Sequence, residues 1–138
     1  MKSGNIELKL FYSNWAAKEL TDLCGGLENI GSLFAGKDGE DREVTEIYDN
    51  IVNLVCILAN ANIIKENSEI ALGMRKGEKK ELFDADMMSN ILDMSKGGEY
   101  LLECLDVMGL ASKFEMPEGM KVEEKDIDLE EIEAEKNP

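Results

Sequence analysis

The sequence predicts a mainly α protein: a small helical bundle with a short N-terminal β-strand and a flexible acidic C-terminal tail. Three observations carry this. Apolar residues recur at helical spacing through most of the chain, one run near the start alternates in twos, and charge crowds the stretch from Glu115 onward. The expected division is a helical domain over 1–114 and an acidic, disordered tail over 115–138. A chain of 138 residues is one domain's worth and can bury roughly two-thirds of its unfolded surface.

The first element is the strand. In "IELKLFY", Ile6, Leu8, Leu10 and Tyr12 fall on one side and Glu7 and Lys9 on the other, with Phe11 breaking the pattern. Such a strand needs a short pairing elsewhere or offers its edge to another chain. Ser13 or Asn14 then caps a helix carrying Ala16, Leu20, Leu23 and Leu27, which Gly25-Gly26 stops or bends. A second short helix, "LENIGSLFA", ends at Gly36.

The loop "GKDGEDRE" leads into the strongest element. From Arg42 to about Ile64, Val44, Ile47, Tyr48, Ile51, Leu54, Val55 and Leu58 trace a continuous stripe. Around Val52 to Ala59 the helix is apolar on most sides, which marks it as the central one, and Lys65 is expected just past its end. "GMRKGEKKE" (73–81) reads as a loop. "DADMMSNILDMS" restarts a helix capped by Asp84 or Asp86, and after Gly97-Gly98 "EYLLECLDVMGL" supplies the last. The longest apolar run, Leu54 to Ala59, falls short of a bilayer.

Net charge is −15, of which −7 lies in residues 115–138 and −8 in the body. That balance argues against binding nucleic acid through its phosphates and against anionic membrane surfaces. Cys24, Cys56 and Cys104 have no C-x-x-C spacing and read as free core thiols of a reducing compartment. The N-terminal residues lack the apolar core of a signal peptide, so a cytoplasmic location is expected.

The chemical inventory is thin. Without histidine there is no histidine-based triad or zinc pattern that requires it. No Walker loop, G-x-G-x-x-G or G-x-S-x-G occurs. The paired carboxylates of "DADMM" and "DREVTE" sit where helix N-termini favour acids. We therefore expect no enzyme, no metal and no cofactor. The eight methionines are adaptable packers that also suit surfaces accepting varied apolar partners. In the tail, Ile127, Leu129 and Ile132 form neither a helical stripe nor a sustained alternation, and like charges at Glu124/Asp128 and Asp126/Glu130 oppose an isolated helix.

The order of features supports a family reading. "IELKLFYS" leads into "NWAAKELTDLCGG", followed by "VTEIYDNIVNLVCILANANI", then "DADMMSNILDMSKGGEYLLECLDVMGL" and an acidic end. This resembles the tail assembly chaperones of long-tailed phages and prophages of Gram-positive bacteria, over most of residues 5 to 110. The chain departs from them in its loop at 73–81 and in lacking a glycine- and lysine-rich hairpin turn at the first strand. The resemblance implies a non-catalytic protein that binds the tape measure protein and keeps it soluble until the tail tube polymerises. It also implies the tail tube protein as a further partner and leaves self-association open. Such chaperones are commonly made in short and extended forms by frameshifting, and "EKNP" permits a slippery codon run. Met87, Met88, Ile91 and Ile127, in the adaptable C-terminal region, are the residues offered for partner contact. Two other readings use the same composition. An acidic DNA mimic would inhibit a DNA-binding enzyme, but needs a fixed row of carboxylates rather than a tail. A structural tail or connector component shares the phage setting.

Overall fold

The computed structural model describes residues 1–34 and 43–110. Most of the loop "GKDGEDRE", the segment "MPEGM", and Val122, Ile127, Leu129 and Ile132 lie outside the described residues.

The fold is mainly α, built around one long helix, α2 (Val44–Ala71), which buries Ile51, Leu54, Val55, Leu58 and Ala61 completely. A helix apolar on most sides must be enclosed, and three others pack on α2: α1 (Asn14–Cys24), α3 (Ala85–Ile91) and α4 (Gly97–Val107). Each fully buried leucine in this core contributes about 1.5–3 kcal/mol. By length and composition α2 could cross a bilayer, so the six-residue run understated it; here 61% of its most apolar window is buried within the fold.

α2 continues seven residues beyond the end expected at Ile64. The apolar stripe gives out there, but Lys65, Glu66, Asn67, Ser68 and Glu69 are acceptable helix residues whose side chains find other uses. Lys65 is therefore inside the helix rather than beyond it, its Nζ lying 5.0 Å from the centre of the Phe11 ring. The Phe11 N–H also donates to the Leu58 carbonyl at 3.1 Å.

The strand of the alternating run is shorter than expected but has its partner. β1 (Lys2–Ser3) pairs antiparallel with β2 (Ile6–Glu7), Lys2 opposite Glu7 and Ser3 opposite Ile6. The pairing extends one step further, the Leu8 N–H donating to the Met1 carbonyl at 2.6 Å. Gly4 takes φ +60°, the left-handed value that a two-residue hairpin turn demands at this position. The chain thus starts two-stranded. Leu8 is buried and Ile6 is 40% exposed, so the inward side of the run begins at Leu8.

Ser13 caps α1, accepting from the Ala16 N–H, and Gly25 closes it at φ +81°. The expected second helix is a 3-10 helix, Leu27–Leu33, that delivers Ile30, Leu33 and Phe34 to the core. Asp84 is the cap of α3, its carboxylate accepting from the Met87 N–H at 2.7 Å. A 3-10 turn, Met94–Lys96, joins α3 to α4. Gly97-Gly98 does not break the chain; these residues open the first turn of α4, and Gly97 is buried.

Candidate partner-binding surface

Between α2 and α3 the chain runs as a strap, residues 72–83, without helix or strand of its own, turning through 72–77 before it lies along α2. Two asparagines of α2 hold it. Asn60 exchanges two hydrogen bonds with the Phe83 backbone, accepting its N–H and donating to its carbonyl, both at 2.8 Å. Asn67 does the same with Lys80, at 2.9 and 2.8 Å. The spacing explains why this works. Seven residues of helix rise about 10.5 Å, and three residues of extended chain advance about 10 Å. Each amide thus meets a backbone N–H and C=O as an adjacent strand would. Asn60 is only 7% exposed, so its polar groups require these partners.

The strap carries the apolar surface. Leu72 is 74% exposed, Met74 72%, Leu82 45% and, just beyond it on α3, Met87 50%. Among the described residues only Ile6, Val44 and Val107 are other large apolar side chains so exposed. The four residues named for contact separate on this evidence. Met87 is at the surface, whereas its neighbour Met88 is fully buried and serves the core. Ile91 is partly buried against that core, and Ile127 lies outside the described residues. Leu72, Met74 and Leu82 were missed because they sit singly in a polar, glycine-punctuated segment without periodicity. The available signal was large apolar residues spaced through a loop where burial was not expected.

Beneath the strap, Leu8, Ala59, Ile63 and Phe83 floor a groove of about 280 Å³ whose rim includes Lys9, Arg75 and Lys80. Glu66 sits among these cations. The Asn62 amide, donating to its carboxylate at 3.1 Å, holds the Glu66 carboxyl below its usual range, with Arg75, Lys80 and Lys9 acting in the same direction. Arg75 also pairs with Glu69 at 3.2 Å. A second hollow, of about 180 Å³, continues past Asn67 and Ile70 to Lys76 and Glu78.

Behind α3 a polar chain fixes the opposite end. The Asp93 N–H donates to the Tyr100 hydroxyl, which donates to Ser3 Oγ, which donates to the Ile91 carbonyl. Ser3 and Tyr100 are buried, and this path ties the hairpin, the end of α3 and α4 together. Burial pushes the Cys104 and Cys56 thiols up, with the nearby carboxylates of Glu103 and Asp84 adding to it. Among the described residues no three Cys, Asp or Glu side chains converge to hold a metal ion. Compared with known proteins, the chain matches no family model, no curated protein and no solved structure.

Proposed function

We propose that this protein is a non-catalytic tail assembly chaperone that binds the tape measure protein of a long-tailed phage or prophage. It holds that chain in solution until tail tube subunits replace it. The observation that carries the reading is the set of exposed apolar side chains on the strap, Leu72, Met74 and Leu82, with Met87 just beyond it on α3, on a chain of net charge −15. Single apolar contacts of this kind suit the amphipathic helices of a long partner. The negative charge keeps a coated complex dispersed. Many weakly held copies along one partner bind firmly together and come off one at a time. The order of strand, helix, long helix and capped helices, shared with the family the sequence resembles, supports the same reading.

The test is co-expression with the tape measure protein from the same genome. The expected result is a tape measure protein that moves from the pellet to the soluble fraction and co-elutes with this chain. Leu72→Ser with Met74→Ser and Leu82→Ser should abolish that rescue while leaving the circular dichroism of the chaperone unchanged. A tape measure protein whose solubility does not respond to the wild-type chain ends the proposal.

A further inference from the structure

The strap covers one face of α2. Cys56, Asn60, Ile63 and Asn67 fall at i, i+4, i+7 and i+11 and so share a side of the helix. Asn60 and Asn67 hold the strap's backbone, and Ile63 lines the groove beneath it with Ala59 and Phe83. The Cys56 thiol donates to the Phe83 carbonyl at 3.5 Å. The cover itself is loosely made. Every residue from Leu72 to Leu82 is exposed, and Phe83 is only partly buried. From Arg75 to Leu82 the backbone hydrogen bonds are the two to Asn67. The Arg75–Glu69 ion pair lies at the surface and adds little.

We propose that the strap lifts from α2 as a local event, unlatching last at Phe83, and that lifting uncovers the Cys56, Asn60 and Ile63 face while the helical core stays folded. Segments with little buried apolar area and water-accessible hydrogen bonds open far below the free energy of global unfolding. The strap from Leu72 to Leu82 meets both conditions. Resistance comes from the Phe83 latch, whose two bonds to Asn60 are shielded, Asn60 being only 7% exposed. The packing of α1, α3 and α4 on α2 does not pass through residues 72–82, none of which is buried. Lifting adds Ala59 and Ile63, both buried when the strap is closed, to the apolar surface that Leu72, Met74 and Leu82 already present. The closed strap thus limits how much apolar surface the molecule shows. This inference does not rest on the chaperone reading, and its test needs no partner.

The experiment is iodoacetamide labelling of the full chain under native conditions, read at each cysteine by mass spectrometry. Cys24 is partly exposed, Cys56 is 8% exposed with its thiol against Phe83, and Cys104 is completely buried in the core. The expected order is Cys24 first, Cys56 roughly tenfold or more slower, and Cys104 roughly a further tenfold or more behind. Below the unfolding transition, urea should raise the Cys104 rate roughly fivefold or more per molar and the Cys56 rate less than about twofold. Leu20→Ala, a core change on α1, should speed Cys104 roughly tenfold or more and leave Cys56 within about twofold. Asn60→Ala should speed Cys56 roughly fivefold or more. Equal urea slopes at Cys56 and Cys104 overturn the proposal, since Cys56 would then wait for global unfolding. So does Cys56 reacting as fast as Cys24, which would mean that nothing covers it. An unchanged Cys56 rate in Asn60→Ala removes the latch and overturns it as well.

Discussion

The two halves of α2 are held in different ways. From Ile47 to Ala61 the helix is fixed by apolar burial on several sides, with α1, α3 and α4 packed around it. From Asn62 to Ala71 no residue but Ile63 is buried, and the contacts are polar: Asn62 to Glu66, Asn67 to Lys80, Glu69 to Arg75. Asn60, at the seam, belongs to both. The comparison teaches that one helix can be core at one end and scaffold for a surface strap at the other. Apolar packing is strong but non-directional, so it anchors the body. Paired amide bonds are weaker, but they fix the register of a segment that must stay at the surface.

The largest expected effect lies in the apolar half. Leu58 is completely buried, and Leu58→Ala should cost about 2–5 kcal/mol, from lost transfer energy plus the cavity left behind. Chemical denaturation would show a lower midpoint at an unchanged slope. If the loss were under about 1 kcal/mol, the claim that α2 is the centre of the core would fail.

At the seam the penalty is one of unmade bonds. Asn60→Ala leaves the Phe83 N–H and C=O without their amide partners and should cost about 1–3 kcal/mol. Hydrogen exchange should accelerate first at Phe83 and through the start of α3, before the α1 amides respond. Uniform acceleration across the chain would mean that Asn60 acts only as core filling.

How much of this could be read in advance follows the same division. Apolar period announced α2 through Leu58, the Ser13 and Asp84 caps were visible as residue types, and Gly25 stopped α1 as glycine should. The extension to Ala71 was not legible, because an asparagine that imitates a strand edge looks in the sequence like any polar helix residue. The hairpin escaped because two residues per strand carry no periodicity, leaving only Gly4 as its signal. Gly97-Gly98 misled for the opposite reason. Glycine's freedom usually ends a helix, yet Gly97 is buried in the first turn of α4. For the candidate surface, Met87 alone among the described residues was both named and exposed.

A pH series sharpens the comparison from the core side. Cys104 is buried and its thiol is raised well above the ordinary range, chiefly by desolvation. A thiol raised on folding gives stability that is complete below its unfolded value, near 8.5, and is lost as pH climbs above it. Between pH 9 and 10 the loss should approach about 1.4 kcal/mol per unit. Cys104→Ala should reduce that slope, leaving the share of Cys56, which burial also raises, whatever it costs at neutral pH. An equal slope in the variant would assign the loss to other groups.

The smallest effect belongs to the outer clamp, and it isolates the polar half most cleanly. Asn67 is only partly buried and bonds Lys80, which is exposed. Water can replace both bonds when the amide is removed, so Asn67→Ala should change global stability by less than about 1 kcal/mol. Its local consequence should be much larger. The Lys80 N–H loses the acceptor it has at 2.9 Å, and its exchange protection should vanish while that of Phe83, still held by Asn60, persists. If Phe83 loses protection too, the clamps are one cooperative unit and the strap detaches as a whole. If neither amide changes, the strap is held by its apolar contacts instead, and the contrast between the two halves of α2 is lost.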